Sequence, residues 1–341
     1  MTRYVIIGAG AIGASFAAQL HISGAQVLLI ARGEHARMIR TEGLRYVRPE
    51  GAQRVPVPVA ESAAEVELTP ADVLVLATKS QDTEAVLQEW AWRPVSAGGL
   101  APVSAGGLAA AETLPLISLQ NGIENERAAL RRFVRVSGAA IWMPGSYLRP
   151  GEVVAPGEPQ VGVVWLGRYP GELDPDAEAW AADLRRANFG VQLVTDLPRW
   201  KAGKLVNNLV NAVDALYGRQ GHGELIAALQ AEGRKVLTAA GHDPVDLAAD
   251  SAIDVSGHRI AESLLPVYGG SSTRQSLSRA TGSAEADFLN GEIALLGRMY
   301  GIPTPLNAAL QAMLAKASRS GVPAGGGDPA ELDAMLAAVV A

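Results

Sequence analysis

Short, mostly apolar runs punctuate the first 120 residues of the chain. They fall at residues 4–7, 27–30, 73–77 and 116–119. A run that is apolar throughout, rather than alternating, fits a strand buried on both faces, as in a parallel sheet. Between the first two runs lies a glycine turn and an amphipathic stretch through Leu20, so the chain opens as strand, turn, helix, strand. A short helix is predicted over 34–41, closed by Gly43, and a charged helix over 124–133, followed by a strand ending at 142. Residues 45–47 and 55–59 are short extended pieces, and Pro56 and Pro58 confine the second to an edge or a loop. In the Gly/Pro-rich region that follows, runs at 152–154 and 161–165 predict a hairpin closing the sheet antiparallel. A helix over 176–187 and a strand over 191–194 complete this part.

From residue 197 the strand signals stop and the period becomes helical. One helix is predicted over 200–217 and another over 223–240, ending at Gly241. Further helical runs fall at 244–250, 254–266, 284–300 and 305–318, the third of these closed by Gly301 and Pro303. Residues 324–327 form a glycine-rich hinge before an apolar end at 332–340, which leaves two packings open: on its own core, or on a second copy of the chain in a homodimer. The pattern therefore predicts an α/β domain over 1–196 and an all-α domain over 197–341. Residues 94–101 read PVSAGGLA and 102–109 repeat the same letters, a tandem duplication expected to lengthen a loop and to carry no chemistry.

Composition narrows the function classes. The 341 residues are 48% hydrophobic, enough for two cores of ordinary size. A net charge of −6 argues against a nucleic-acid surface. The absence of cysteine excludes disulfides, thiolate catalysis and Cys-ligated zinc. No uncharged apolar run is long enough to span a membrane, and glycines interrupt the apolar start before it resembles a leader peptide, so a soluble cytoplasmic protein is expected.

The first turn carries the clearest chemistry. Gly8-Ala9-Gly10-Ala11-Ile12-Gly13 sits between a strand and a helix, the setting in which GxGxxG binds a dinucleotide. Gly8 permits the turn, Gly10 lets backbone approach a pyrophosphate, and Gly13 lets helix and strand pack closely. Amide groups at the helix start face the phosphates. The second strand ends Ile30-Ala31-Arg32, without the acid that would bond a ribose 2′-hydroxyl; a guanidinium there suits a 2′-phosphate, which predicts NADP rather than NAD, with nearby Glu34 as the rival reading. Lys79 and Asn121 stand just beyond the third and fourth apolar runs, where open α/β sheets bind ligands.

In the second half, Lys204, Asn207, Asn208, Asn211 and Asp214 interrupt a Val/Leu-rich helix. Lys204, Asn208 and Asn211 share a helical face. Asparagine is a modest helix former, so this set reads as a polar wall facing a substrate. Ser271-Ser272 supplies hydroxyls, and Glu285, on a later helix, could orient a lysine across a site. The five histidines show no ligand spacing, and no metal site is expected.

Taken together, these residues resemble the ketopantoate reductase family. The resemblance rests on Gly8–Gly13 with Arg32, on Ala77-Thr78-Lys79, on Leu119-Gln120-Asn121-Gly122, on the run from Lys204 to Ala212, on Ser271-Ser272, and on the run from Glu285 to Gly291. It implies a Rossmann-type N-terminal domain, an all-α C-terminal domain, a cleft between them, and NADPH-dependent reduction of 2-dehydropantoate to (R)-pantoate in pantothenate biosynthesis. It assigns Lys204 as the catalytic acid and Glu285 as its supporting carboxylate, Asn208 and Ser272 to the substrate, and Lys79 and Asn121 to the cofactor. Asn211 follows Lys204 by seven residues where many members have asparagine at eight, here Ala212. Large apolar residues within 139–144 replace a Thr/His-containing stretch, which keeps open a related reductase of another 2-oxo acid; a non-catalytic NADP sensor is the remaining alternative.

Overall fold

Side chains of the first strand, Arg3–Ile7 (β1), alternate between two dry faces: Tyr4 and Ile6 join one apolar cluster, Val5 and Ile7 another. This is the burial that a continuous apolar run demands, and it organises the sheet. The computed structural model describes residues 1–96, 108–279 and 285–340. Besides β1, the main sheet contains Gln26–Ile30 (β2), Val59–Ala60 (β3), Asp72–Leu76 (β4), Leu116–Ser118 (β5), Val136–Trp142 (β6), Val163–Arg168 (β7) and Gly190–Leu193 (β8). Their order is β3-β2-β1-β4-β5-β6-β7-β8. All pairings from β3 to β6 are parallel, β7 runs antiparallel to β6, and β8 pairs parallel with β7. The order reverses between β1 and β4, so the carboxyl ends of these two strands form the switch point at which open α/β sheets hold ligands. Pro58 and the edge position of β3 agree, since proline cannot donate to a central ladder.

The antiparallel closure is therefore present, but not as a hairpin of 152–154 with 161–165. Glu152–Val154 instead lies parallel to Leu44–Arg48, which pairs antiparallel with Gly51–Val55 in a separate three-stranded sheet. Around the main sheet lie helices Ala11–Ile22 (α1), Gly33–Glu42 (α2), Thr83–Ala91 (α3), Asn125–Leu130 (α4) and Ala177–Arg186 (α5). The duplicated segment lies mostly outside the described residues, at 97–107, but its two ends meet: Pro94 bridges Ala109, and Val95 N–H donates to the Leu108 carbonyl (3.2 Å).

The second unit is helical: Leu197–Asn208 (α6), Val210–Leu216 (α7), Gly223–Ala239 (α8), Ser272–Ser278 (α9), Asn290–Tyr300 (α10), Pro305–Arg319 (α11) and Pro329–Val340 (α12). Its cores join Ala202, Leu205, Val206 and Leu209 to Val236, Leu237 and Ile293, and Val213 and Leu216 to Leu229, Leu310 and Leu314. Four sequence expectations change. The helix over 200–217 is interrupted at Leu209, whose carbonyl accepts the Asn290 side-chain amide (3.2 Å); an outside donor at a helix carbonyl is a recognised cause of a break. The run over 284–300 is a 3₁₀ turn, Glu285–Phe288, followed by α10. The glycine hinge is tied down, with Gly325 and Gly327 N–H donating to the Ala215 and Leu216 carbonyls, and Leu332 and Met335 of α12 sit in the unit's own core. The stretches 244–250 and 254–266 are not α-helices: the second holds a short strand, Arg259–Ile260, and a 3₁₀ turn, Glu262–Val267.

Chain contacts divide the protein into Met1–Gln120, Glu124–Leu197 and Ala248–Tyr268 in one unit, and Asn121–Ile123, Pro198–Leu247 and Gly269–Ala341 in the other. A single cut between 196 and 197 misses two exchanges. Ala248–Tyr268 belongs with the sheet because Arg259–Ile260 pairs with Gly157–Glu158, and Trp165 Nε1 donates to Ser251 Oγ (3.2 Å). Asn121–Ile123 belongs with the helices because Ile123 packs among Ala202, Leu205 and Val206.

One buried polar network holds three helices of the second unit together. Asn290 Nδ2 donates to the Leu209 carbonyl and to Asn307 Oδ1 (2.9 Å), and Asn307 Nδ2 donates to Glu232 Oε1 (2.8 Å). Glu232 also accepts the Leu306 and Asn307 N–H groups at the start of α11, where a carboxylate is favoured. Replacing Asn290 with Ala orphans two buried acceptors, and we expect a loss of roughly 1–3 kcal/mol, read as a lower urea midpoint at unchanged m-value.

Candidate functional site

The glycine loop occupies the switch point. Gly8 follows β1 at φ +110°, and a Cβ there would stand 2.8 Å from the Ala77 and Thr78 backbone beyond β4. A Cβ on Gly13 would stand 2.0 Å from the Gly8 carbonyl oxygen. Gly10 differs: a Cβ would meet nothing within 4 Å, so the surface above it is open to a ligand backbone cannot otherwise approach. Ala9, Ala11 and Ile12 lean on the sheet core. Helix α1 begins without a side-chain cap and without an acid in its first turn, so its leading N–H groups face outward undisputed, a donor set matched to phosphate oxygens.

Arg32 lies past β2 with its side chain 72% exposed and pairs with Glu89 (3.3 Å). Glu34, its rival, is engaged by Arg37, whose guanidinium holds the carboxyl below its ordinary value. Lys79 is half-buried beyond β4, on a loop held from inside. Gln120 Nε2 donates to Thr83 Oγ1 (2.8 Å) and to the Thr78 carbonyl (3.1 Å), Thr83 Oγ1 donates to Asn125 Oδ1 (2.8 Å), and Asn125 Nδ2 donates to Ser80 Oγ (3.1 Å). Trp142 is partly exposed at the end of β6, while Met143 packs on the sheet core.

The second unit gathers most of the other predicted residues. Lys204 and Asn208 stand one helical turn apart on α6, and Asn208 Nδ2 donates to Asn121 Oδ1 (2.9 Å). Asn121 thus sits with the lysine helix rather than with the sheet. Asn211, beyond the break, is buried and accepts from Arg219 Nη2 (3.5 Å). The serine pair divides its roles: Ser271 caps α9 by accepting the Arg274 N–H (3.2 Å), whereas the Ser272 hydroxyl, half-buried, makes no hydrogen bond among the described residues. Lys204 likewise has neither hydrogen bond nor ion pair among the described residues. Burial first, and the Arg219 charge second, push its pKa down to about 8. Glu285 is buried on the 3₁₀ turn and makes no ion pair with Lys204. No group of three or more His, Asp or Glu among the described residues could hold a metal.

Sequence reasoning missed three contributors. Gln120 and Arg219 gain their roles only through distant partners. His35 has no ligand spacing to mark it, yet it is buried against the glycine loop: Nδ1 accepts the Gly151 N–H (2.7 Å), which leaves Nε2–H to donate to the Ala9 carbonyl (3.0 Å). Protonating Nδ1 would set one N–H against another. Burial holds the imidazole below 6.5, with the Ala9 bond opposing. The unfolded chain therefore takes up a proton at a higher pH than the folded chain does, and stability is lost as pH falls below the ordinary histidine value. We expect the melting temperature of His35→Gln to fall less steeply with acidification than that of the unmodified protein; parallel slopes would remove His35 from this role.

Comparison with known proteins agrees with the fold. The description "Ketopantoate reductase PanE/ApbA" matches residues 4–171, and "Ketopantoate reductase PanE/ApbA C terminal" matches 198–318. A 2-dehydropantoate 2-reductase from Caulobacter vibrioides is 31% identical over 327 residues, covering 92% of this chain and 98% of its own. One from Archaeoglobus fulgidus is 28% identical over 318 residues, covering 90% and 95%. The crystal structure of a PanE/ApbA family ketopantoate reductase from Ralstonia eutropha superposes with a TM-score of 0.72 at 25% identity, over 94% of this chain and 99% of the other. Since both halves are matched in order and nearly end to end, the chain belongs to the ketopantoate reductase family, and it is an oxidoreductase.

Proposed function

We propose that this protein reduces 2-dehydropantoate to (R)-pantoate with NADPH, as a cytoplasmic step of pantothenate biosynthesis. The observation that carries the reading is Lys204: a lysine in a Val/Leu-rich helix, desolvated to a pKa of about 8, with amide and hydroxyl groups from Asn208 and Ser272 in the same unit. A general acid works best when its pKa lies near the operating pH, and this one stays largely protonated at neutrality. A non-catalytic sensor has no use for such a group.

The residues fit a dinucleotide. Gly10 leaves open backbone, the first amides of α1 are uncapped, and Arg32 offers a guanidinium where a 2′-phosphate would require one. When bound, the reduced nicotinamide supplies a hydride to C2 of the substrate. Lys204 donates its proton to the oxygen that gains charge at C2. Asn208, steadied by Asn121, orients that oxygen, and Ser272 offers its hydroxyl to the substrate. Asn211 is assigned to the substrate, Glu285 to the support of Lys204, and Lys79 and Asn121 to the cofactor. The part-exposed Trp142 favours a second reading in which the same chemistry serves another 2-oxo acid. A panel of 2-oxo acids assayed with NADPH and NADH decides between the two readings.

Lys204→Ala is expected to lower kcat by roughly 10²–10⁴ while dinucleotide affinity holds. Near-normal turnover would move the role to Lys201, three residues earlier. In the unmodified protein, kcat/KM for reduction should fall as pH rises past about 8, because the acid form of Lys204 is lost there. A flat profile through that range would remove Lys204 as the proton donor. NADPH should bind at least about tenfold tighter than NADH, an advantage that Arg32→Asp removes. Equal affinities by titration calorimetry in the unmodified protein would end the NADP assignment.

A further inference from the structure

Arg219 stands in the turn after α7, past Gly218 at φ +82°. Its side chain is 56% exposed, yet two buried groups hold it: Nε faces Asp214 Oδ1 at 3.7 Å and Nη2 donates to Asn211 Oδ1 at 3.5 Å. Asp214 is itself fixed. Its Oδ2 accepts the Ser271 N–H (3.0 Å), and its carbonyl accepts Arg274 Nη1 (2.8 Å). One carboxylate therefore joins Arg219 to the Ser271–Ser272 turn, and one asparagine joins it to the helical segment that follows Lys204. Its charge is felt at Lys204, where it opposes the ammonium.

We propose that Arg219 binds the carboxylate of the 2-oxo acid, with Asp214 and Asn211 setting the guanidinium and the Ser272 hydroxyl beside it; this rests on the reductase reading above. A guanidinium carries five N–H donors in a planar fork. Two of its nitrogens are occupied by Asp214 and Asn211, which among the described residues leaves Nη1 and the remaining Nη2 hydrogen for an anion. A carboxylate is the ligand that this fork matches in two parallel bonds. A structural role explains less. At 3.7 Å the guanidinium stands outside hydrogen-bond distance of the buried Asp214 carboxylate, and directing a second cation at a desolvated lysine works against the fold. A bound anion turns that repulsion into attraction on both cations. The carboxylate of a 2-oxo acid lies one bond from the carbonyl that Lys204 must protonate, so one molecule can satisfy both groups.

The test compares the 2-oxo acid that the unmodified enzyme reduces best with the methyl ester of that acid, which keeps the ketone and lacks the negative charge. Arg219→Gln should raise KM for the acid by about tenfold or more, the loss of one charge-assisted bidentate contact, and change kcat/KM for the ester by less than about twofold. Arg219→Lys should recover part of the affinity for the acid, and NADPH affinity should not move in either variant. An unchanged KM for the acid in Arg219→Gln, or equal losses for acid and ester, would overturn the proposal while leaving the reductase reading intact. If the unmodified protein reduces no 2-oxo acid with either dinucleotide, the reductase reading falls first and this proposal with it.

Discussion

The approach of α1 to β1 is the constraint on which the first unit depends. The carbonyl of Gly8 lies where a side chain on residue 13 would be, and Gly8 itself presses on the backbone beyond β4. Three segments thus meet at distances that only bare backbone allows. Because they meet, the amides of α1 point past the sheet at the place where strand order reverses, and the two dry faces of β1 can both be covered. His35 belongs to the same arrangement. It ties the loop through the Ala9 carbonyl.

The second unit solves the opposite problem. Its helices are rich in Val, Leu and Ala, yet they enclose Asn290, Asn307, Asn208 and Asn211. Each buried amide must be answered, and the answers bind the helices together: Asn290 to Leu209, Asn307 to Glu232, Asn208 to Asn121. Lys204 is the member left without an answer among the described residues. Its free energy is raised by the same apolar packing that stabilises its helix, and this tension lowers its pKa.

Features carried by local pattern were legible in the sequence. The glycine spacing, the apolar runs of the parallel strands and the proline-marked edge all follow from neighbours within a few residues. What escaped depended on distant partners. The break at Leu209 is made by a side chain 81 residues away. Glu152–Val154 joined Leu44–Arg48 instead of its near neighbour, a choice no periodicity records. The stretch 254–266 looked helical by composition but supplies a strand to Gly157–Glu158. The serine pair shows the limit well: two identical residues in succession, one a helix cap and the other an unengaged hydroxyl, distinguished only by which backbone N–H lies within reach.

The bridge between Pro94 and Ala109 has a consequence for the history of the repeat. It uses the first two residues of the leading copy and the last two of the trailing copy. Removing either copy would leave Pro-Val at one end and Leu-Ala at the other, so the same bridge could close over the shorter segment. The duplication is therefore neutral in register: it altered the length between two anchors and left the anchors unchanged. An insertion inside a strand of this sheet would shift the register of the residues after it; between these two anchors it leaves the register of both unchanged.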